Sequence, residues 1–303
     1  MTPFNKIILV IAGPTAVGKT DLCINLAKKF NTVIISSDSR QFFQEINIGT
    51  AKPSKEELDM VPHFFIGNKS IHEPYDVRSY EVEALSCIGD LFKEKDLLLL
   101  TGGSGLYTDA VINGLDDMPK IAPEIRQELN LLYAKEGIFP LQEMLKKLDP
   151  NYYGKVDLQN PQRLIRALEV CQGTGRKYSD FRVRKKVERP FKTIKIALNR
   201  DREELYSRID RRMDKMIAEG LFEEAEKMHP YKNRNALNTV GYKEIFGYLE
   251  GEYDREEAIR LLKRNSRRYA KRQVTWLKRD EAYHWFHPDD VNGILSLVHD
   301  QRG

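Results

Sequence analysis

The chain has 303 residues, of which 41% are hydrophobic and 31% are charged, and its formal net charge is +4. A chain of this length can bury one large core or two smaller ones. Its three cysteines, Cys23, Cys87 and Cys171, lie far apart in the sequence, which excludes a disulfide framework and a C-x-x-C zinc site. Because the sequence has no apolar run of about 20 residues and no signal-peptide pattern, we expect a cytoplasmic protein without a membrane span.

The most specific motif lies near the start of the chain. Residues 13–20 fit the template G-x-x-x-x-G-K-[ST] at every fixed position, between a six-residue apolar run and a helical pattern over residues 20–30. A strand, such a loop and a helix N-terminus together hold phosphate oxygens through backbone N–H groups. We predict that Lys19 reaches the outer phosphate of a diphosphate or triphosphate and that Thr20 lies near Mg²⁺. The residues of this phosphate loop are Gly13, Pro14, Thr15, Ala16, Val17, Gly18, Lys19 and Thr20.

A second predicted strand, residues 32–36, is followed closely by Asp38. In an open parallel sheet, residues just past the carboxyl ends of the strands line the ligand crevice. We therefore expect four polar residues beside the phosphate loop: Asp38, Ser39, Arg40 and Gln41. The residues alone leave two roles open for Asp38, which are a catalytic carboxylate and a helix cap or indirect partner of Mg²⁺.

The third predicted strand, residues 96–100, ends without an acidic residue. Hydrolases with a phosphate loop commonly carry an Asp there, where it holds Mg²⁺ for γ-phosphate chemistry. Residues 101–107 instead supply glycines and the Ser104 hydroxyl, and the sequence has no N-K-x-D guanine motif. The pattern indicates a loop that holds phosphates for a reaction other than nucleotide hydrolysis.

After the third strand, the alternation of strands and helices stops. Residues 122–172 predict three successive helices, the last of them ended by Gly173. We therefore predict an α/β fold in which residues 1–117 and 191–303 form a P-loop NTPase-like parallel sheet core. Residues 118–190 form a mostly helical insertion.

Pairs of arginines share helical faces at two places in the second half of the chain. Arg163 and Arg166 lie three residues apart on one predicted helix, and Arg208 and Arg212 lie one turn apart on another. The second pair either clamps an anion or pairs with acidic residues on the surface. Residues 182–192 form a basic loop that is either a solvated linker or a phosphate-backbone contact. Its basic residues are Arg182, Arg184, Lys185, Lys186, Arg189 and Lys192.

The strongest charge asymmetry lies in a long predicted helix over residues 255–279. Ten of its residues are Lys or Arg, and only Glu256 and Glu257 oppose them. Tyr269 and Trp276 are interleaved with these cations. We favour a nucleic-acid partner over a solvated charged face for this helix.

Together these motifs resemble the tRNA dimethylallyltransferase (isopentenyltransferase) family over nearly the whole chain. The resemblance rests on the phosphate loop, D-S-R-Q at 38–41, I-G-T-A-K-P at 48–53, G-G-S-G-L-Y at 102–107, P-Q-R at 161–163, R-A-L-E-V at 166–170, V-G-Y-K-E at 240–244 and A-K-R-Q-V-T-W at 270–276. It implies transfer of a dimethylallyl group from dimethylallyl diphosphate to N6 of the adenosine immediately 3′ of the tRNA anticodon. The products are N6-isopentenyladenosine and diphosphate.

The resemblance also implies roles for individual residues. Asp38 is the expected general base, and Ser104, where the family usually has Thr, is expected to hydrogen-bond the amine or Asp38. Lys19 and Mg²⁺ are expected to neutralise the departing diphosphate. The implied catalytic residues are Asp38, Ser104, Lys19 and Arg212; diphosphate binding falls to the phosphate loop and Arg208, and the metal ligand is Thr20. The implied tRNA contacts are Asp38, Ser39, Arg40, Gln41, Ser104, Arg126, Gln162, Arg163, Leu164, Ile165 and Arg166. The implied partners are the anticodon stem-loop and dimethylallyl diphosphate, and we expect a monomer.

Three other functions compete with this one. A prenyltransferase acting on free adenine nucleotide needs neither the helical insertion nor the basic helix. A small-molecule kinase that binds ATP at the phosphate loop is disfavoured by the missing acidic residue after the third strand. A non-catalytic RNA-binding protein is disfavoured by the intact Lys19, Thr20 and Asp38.

Overall fold

The computed structural model describes residues 6–183 and 187–302. The chain divides into two compact units. The first, an α/β unit, comprises residues up to Asn113 and from Glu188 onward, and the second, a helical unit, comprises Gly114–Val187. Among the described residues, no helix is long and apolar enough to cross a membrane.

The α/β unit is built on a six-stranded sheet whose paired strands are all parallel, in the order β3-β2-β4-β1-β5-β6. The strands are β1 (Ile7–Ala12), β2 (Ile34–Ser36), β3 (His63–Phe64), β4 (Leu97–Gly102), β5 (Lys192–Leu198) and β6 (His284–Phe286). The predicted parallel α/β fold is confirmed.

Helices cover both faces of the sheet and form the second unit. In chain order they are α1 (Lys19–Lys29), α2 (Lys55–Met60), α3 (Val77–Leu91), α4 (Gly105–Asn113), α5 (Pro123–Glu136), α6 (Phe139–Leu148), α7 (Pro150–Tyr153), α8 (Pro161–Thr174), α9 (Tyr178–Phe181), α10 (Arg202–Ala218), α11 (Leu221–Met228), α12 (Tyr242–Leu249), α13 (Arg255–Leu277) and α14 (Val291–Arg302). Two short 3₁₀ helices, His229–Tyr231 and Asn235–Leu237, lie between α11 and α12.

Strand β1 lies at the centre of the sheet and is buried along its whole length. It pairs with β4 on one side and β5 on the other. Ile7, Leu9 and Ile11 pack in one core, while Ile8 and Val10 pack in the core on the opposite face. A strand covered on both faces reads as an unbroken apolar run, which explains the sequence before the phosphate loop.

The helical unit has a core of its own. Leu129, Leu141, Leu145 and Leu168 are among the residues that pack together there. The three helices expected between residues 122 and 172 are present as α5, α6 and α8.

The expected helix stop at Gly173 is wrong. Helix α8 continues to Thr174 and ends at Gly175, whose φ of 68° gives the left-handed cap. A Cβ on Gly173 would lie 2.7 Å from Cγ2 of Ile121. Gly173 therefore permits close packing rather than a chain reversal.

Candidate active site

The phosphate loop begins where β1 ends and leads directly into α1. Ala16 and Gly18 have φ angles of 62° and 109°, and Gly18 caps α1. Left-handed residues in such a loop turn backbone N–H groups toward a common concavity. Lys19 is the first residue of α1, and its Nζ donates to the carbonyl oxygens of Gly13 and Pro14 at 2.9 and 2.8 Å. The geometry is that of an anion site that holds its own lysine in place.

Two arginines hold the outer side of the phosphate loop. Arg208 Nε donates to the Ala16 carbonyl at 2.9 Å, and Arg200 Nε donates to the Val17 carbonyl at 2.8 Å. These two hydrogen bonds fix the backbone of the loop at Ala16 and Val17. Arg208, predicted as a diphosphate clamp, therefore contacts the loop itself. Arg200 was not singled out from the sequence, because nothing near it in the chain marks it as part of this site.

A second set of charges converges on Lys19. Burial lowers the pKa of Lys19 to about 8, with the Arg212 cation contributing, while the Asp38 carboxylate acts in the opposite direction. Burial also lowers the pKa of Arg212, and Asp38 counteracts it. Two partly desolvated cations beside one carboxylate suit a polyanionic ligand with a base next to it.

Asp38 lies on the loop that follows β2. Its Oδ1 accepts the backbone N–H of Arg40 at 3.0 Å. Ser104 Oγ accepts the N–H of Ser39 at 3.0 Å and lies 2.9 Å from Ser39 Oγ. Ser104 therefore holds Ser39, the residue after Asp38; its expected role toward the amine or Asp38 stays a prediction.

The glycines after β4 let neighbouring elements approach this loop closely. A Cβ on Gly103 would lie 2.6 Å from Gln273 Nε2, and a Cβ on Gly105 would lie 2.5 Å from the Trp276 ring. Both partners belong to α13. The element that approaches both glycines is therefore the basic helix.

A cavity of about 300 Å³ lies between the phosphate loop and α13. Its lining includes Leu106, Tyr107, Tyr269, Trp276 and Leu277, so aromatic and aliphatic groups dominate it. Burial and the Asp38 charge raise the pKa of Tyr269 to about 12, so its hydroxyl stays protonated. From the sequence, Tyr269 and Trp276 are assigned only to the basic helix and not to a site. The sequence feature that places them together is their separation by seven residues, which puts both side chains on one face of α13.

Arg40 and Gln41 are engaged within the α/β unit. Arg40 donates to the carbonyl oxygens of Asn235 and Asn238 at 2.7 and 3.4 Å, and burial lowers its pKa. Gln41 Nε2 donates to the Thr50 and Ala51 carbonyls at 3.2 and 3.0 Å. These donors hold loops together beside Asp38.

Helix α13 is less positive than its sequence indicates. Acidic residues on α10 neutralise two of its cations, because Asp210 pairs with Arg267 at 2.5 Å and Asp214 pairs with Lys263 at 2.6 Å. Asp210, which lies on the same helix as Arg208 and Arg212, is thus engaged by Arg267 instead. Two exposed cations, Arg255 and Arg260, lie in its first two turns, where Arg260 pairs with Glu257. The other exposed cations lie near or just past the end of α13: Arg268, Lys271, Arg272, Lys278 and Arg279.

The basic loop before β5 has a mixed outcome. Arg184, Lys185 and Lys186 lie outside the described residues. Arg189 is neither solvated nor free for phosphate, since it pairs with Glu81 at 2.8 Å and donates to the Ala110 carbonyl at 2.8 Å.

In the helical unit, the predicted tRNA contacts separate into exposed and buried residues. Gln162 and Arg163 are exposed on the first turn of α8. Arg166 and Arg126 both pair with the buried carboxylate of Glu169, the second at 3.3 Å. Gln162 and Arg163 are thus free at the surface of the unit, whereas Arg126 and Arg166 are partly exposed but engaged by Glu169.

Two of the predicted tRNA contacts require correction. The side chains of Leu164 and Ile165 are 0% and 1% exposed, and they pack in the core of the helical unit. They stabilise α8 and cannot offer their side chains to a nucleic acid.

The fold and the site define an α/β phosphate-loop protein whose loop faces a carboxylate and an apolar cavity. Comparison with known proteins agrees. The sequence model of the IPP transferase family matches residues 41–280. The tRNA dimethylallyltransferase of Cytophaga hutchinsonii is 50% identical over 298 residues, covering 98% of each chain. The tRNA dimethylallyltransferase 1 of Bacteroides fragilis is 50% identical over 293 residues, covering 97% of each.

Solved structures that resemble the chain are of enzymes of the same kind. The tRNA isopentenylpyrophosphate transferase of Bacillus halodurans has a TM-score of 0.72 and 36% identity, covering 98% of this chain and 97% of its own. A eukaryotic dimethylallyltransferase acting on tRNA has a TM-score of 0.72 and 30% identity, covering 90% of this chain and 70% of its own. The chain belongs to the IPP transferase family. It is a prenyltransferase, and the resemblance seen in its sequence motifs is confirmed.

Proposed function

We propose that the chain transfers the dimethylallyl group of dimethylallyl diphosphate to N6 of the adenosine 3′-adjacent to the anticodon in tRNA. The observation that carries this proposal is the convergence of Lys19, Arg212 and Asp38. Two cations beside the phosphate loop suit a diphosphate leaving group, and the carboxylate next to them suits a base. The apolar cavity between the phosphate loop and α13 suits the isoprenoid group.

In the reaction, the bond between C1 of the dimethylallyl group and the diphosphate oxygen breaks as the bond from N6 to C1 forms. The bonding electron pair leaves with the diphosphate. Lys19, Arg212 and the N–H groups of the phosphate loop stabilise the negative charge that develops there. Since Arg208 and Arg200 fix the loop carbonyls, this arrangement needs little rearrangement during the reaction.

Asp38 accepts the proton that N6 loses. The exocyclic amine is a weak nucleophile because its lone pair is delocalised into the ring, and a base within hydrogen-bond reach assists the attack. Two contacts hold Asp38 for this role, one from the Arg40 N–H and one through the Ser39–Ser104 pair. An adenine in a stacked loop cannot reach a half-buried carboxylate, so we infer that the nucleotide is turned out of the stack.

Mg²⁺ is the cofactor that we propose. The described residues include no group of three or more His, Cys, Asp or Glu side chains able to hold a metal. Mg²⁺ does not require one, because it commonly takes one or two protein oxygens and completes its shell with phosphate oxygens and water. Thr20, in the first turn of α1, fits as that protein ligand. When bound, the ion would neutralise part of the diphosphate charge.

For the tRNA, we propose contacts from both units. The exposed cations near the end of α13 face solvent beside the cavity, and Gln162, Arg163, Arg166 and Arg126 are exposed or partly exposed in the helical unit. Cations of this kind neutralise backbone phosphates. The substrate is then the anticodon stem-loop, and we expect a cytoplasmic enzyme that acts as a monomer.

The test is transfer of radiolabelled dimethylallyl diphosphate to unmodified tRNA, with AMP present as a competing acceptor. We expect label on tRNA and none on AMP, and loss of label with Asp38→Ala. Label on AMP alone would indicate a prenyltransferase of free adenine nucleotides. Phosphate transfer from γ-labelled ATP without any prenyl transfer would instead support a kinase.

A further inference from the structure

Gln273, on α13, connects the phosphate loop with the loop that follows β4. Its Oε1 accepts the Thr15 N–H at 2.9 Å, and its Nε2 donates to the Gly103 carbonyl at 2.9 Å. The residue is only 8% exposed. Both ends of the amide are thus engaged by backbone groups of two different loops, which leaves its orientation fixed.

Each of these loops holds one side of the proposed reaction. Thr15 precedes Ala16, whose carbonyl Arg208 holds at 2.9 Å in the phosphate loop. Gly103 precedes Ser104, which holds the residue next to Asp38. The Gln273 amide therefore connects the phosphate loop with the loop that holds Asp38 through two hydrogen bonds, one to each loop.

The Gln273 amide packs tightly against the backbone of Gly103. A Cβ on Gly103 would lie 2.6 Å from Gln273 Nε2, so the amide packs against a backbone that carries no side chain. A displacement of about 1 Å between reacting groups costs on the order of 10²-fold in rate. Because the diphosphate and Asp38 are held by two different loops, a rigid contact between these loops controls the distance between the reacting groups.

We propose that Gln273 is a positioning residue that sets the distance between the diphosphate and Asp38. This inference rests on the proposed function. The amide is needed because it offers an acceptor to the Thr15 N–H and a donor to the Gly103 carbonyl. A carboxylate at the same place offers two acceptors and repels the Gly103 oxygen, whereas a protonated carboxyl restores both hydrogen bonds.

Gln273→Glu provides the test because its effect depends on pH. At a pH of about 8, we expect kcat to fall roughly 10²-fold relative to the wild type, as for a displacement of reacting groups by about 1 Å. As the pH is lowered toward about 5.5, the ratio of variant to wild-type kcat should rise as the new carboxyl is protonated. The KM for tRNA should stay unchanged. Gln273→Ala should lose activity to a similar extent at every pH.

The matched control is Thr275→Ala, an exposed position on the same helix whose hydroxyl donates to the Lys271 carbonyl within α13. It should keep the wild-type kcat. Thermal unfolding of all three variants separates a loss of folded protein from a loss of positioning. Wild-type kcat for Gln273→Glu at pH 8, or a loss that does not change with pH, would overturn the proposal.

A binding measurement keeps this test separate from the proposed function. Affinity for inorganic diphosphate, measured by calorimetry, needs no tRNA and no transfer. Gln273→Glu should bind diphosphate more weakly at pH 8 and recover as the pH falls, because its carboxylate adds a negative charge next to Thr15. If the wild type fails to modify tRNA, the proposed function fails. Unchanged diphosphate affinity in the variant would overturn the role of Gln273 in holding the phosphate loop.

Discussion

Ser39 and Ser104 are joined by two hydrogen bonds, one between their hydroxyl groups at 2.9 Å and one from the Ser39 N–H to Ser104 Oγ at 3.0 Å. Ser39 directly follows Asp38, so this pair fixes the backbone that carries the carboxylate. The contact requires a hydroxyl at position 104 and makes no use of a methyl group. Ser104 therefore supplies the one group that this contact uses.

Ser104→Ala removes both hydrogen bonds. We expect kcat for prenyl transfer to fall about tenfold, because loss of a hydrogen bond of about 1 kcal/mol or somewhat more loosens the Asp38 loop. Ser104→Thr should retain most of the activity, since it keeps the hydroxyl. Steady-state kinetics of both variants tests this. Equal activity in the alanine variant and the wild type would show that the Ser39 contact does not position the base.

Asp38→Asn removes the proposed base while keeping a similar shape. Transfer should fall roughly 10²- to 10⁴-fold, the range typical for loss of a general base. Binding of diphosphate and of the anticodon stem-loop should persist, which filter binding and calorimetry can show. Asp59→Asn, at an exposed carboxylate on α2, is the control for a lost negative charge. Transfer that survives in the Asp38 variant would require another base.

Lys19 predicts a pH dependence of substrate capture. Burial and Arg212 lower its pKa to about 8, and only the protonated amine attracts a diphosphate. We expect kcat/KM for dimethylallyl diphosphate to decline above about pH 8, since this parameter reports the free enzyme. Arg212→Gln removes one of the causes and should shift the decline to higher pH. Lys19→Arg should abolish it, and a decline that persists in that variant would assign it to another group.

The lowered pKa of Lys19 also makes the stability of the fold depend on pH, and here the expected effect is an increase with rising pH. An unfolded lysine keeps its proton up to its ordinary pKa of 10.5, whereas folded Lys19 loses it near 8. Between these two values, the unfolded state binds more protons. The contribution of Lys19 to the free energy of unfolding therefore increases as the pH rises through this window. Lys19→Met should remove that increase, as measured by urea denaturation at pH 8 and pH 10.

Arg163 and Arg166 should contribute unequally to tRNA affinity. Arg163 is exposed, whereas Arg166 pairs with the buried Glu169. Arg163→Ala should reduce the slope of log K against log salt by about 0.7–0.9, the value for one phosphate contact. Arg166→Ala should reduce it less. Lys28→Ala, exposed on α1, is the charge-matched control. Unchanged slopes in both arginine variants would exclude the start of α8 from the tRNA interface.

Gly105→Ala should affect the prenyl substrate selectively. The new Cβ would lie 2.5 Å from the Trp276 ring, which lines the cavity and would have to shift. We expect a higher KM for dimethylallyl diphosphate and an unchanged KM for tRNA. Adding Trp276→Leu to this variant should relieve the clash and restore part of the affinity. Failure of that rescue would show that the ring does not limit the cavity.

Local signals predicted the parts of the site that are contiguous in sequence. The phosphate loop, the buried strand before it and the Asp38 segment follow from runs of a few residues. The residues that hold the phosphate loop in place do not follow from such short runs. Arg200 lies 183 residues from Val17, and Gln273 lies 258 residues from Thr15. Contacts over such separations depend on the strand order of the sheet, which no short pattern specifies.

Charge and burial on α13 and α8 depend on residues that lie outside each segment or on its helical period. The positive charge of α13 was overstated, because the acids that neutralise it, Asp210 and Asp214, lie on a different helix. Leu164 and Ile165 were grouped with their polar neighbours as tRNA contacts. Their apolar character within the helical period of α8 is the signal that places them in the core.

The position of β5 beside β1 has a consequence for how the protein is made. Ile7 pairs with Leu97 of β4 on one side and with Lys192 of β5 on the other, so the strand that leads into the phosphate loop gains its second neighbour only after the helical unit has been synthesised. Arg208 and Gln273, which hold the loop, emerge later still. A nascent or truncated chain thus carries the phosphate-loop motif without its supports. We therefore expect the phosphate loop to reach its supported geometry only after α10 and α13 have been synthesised.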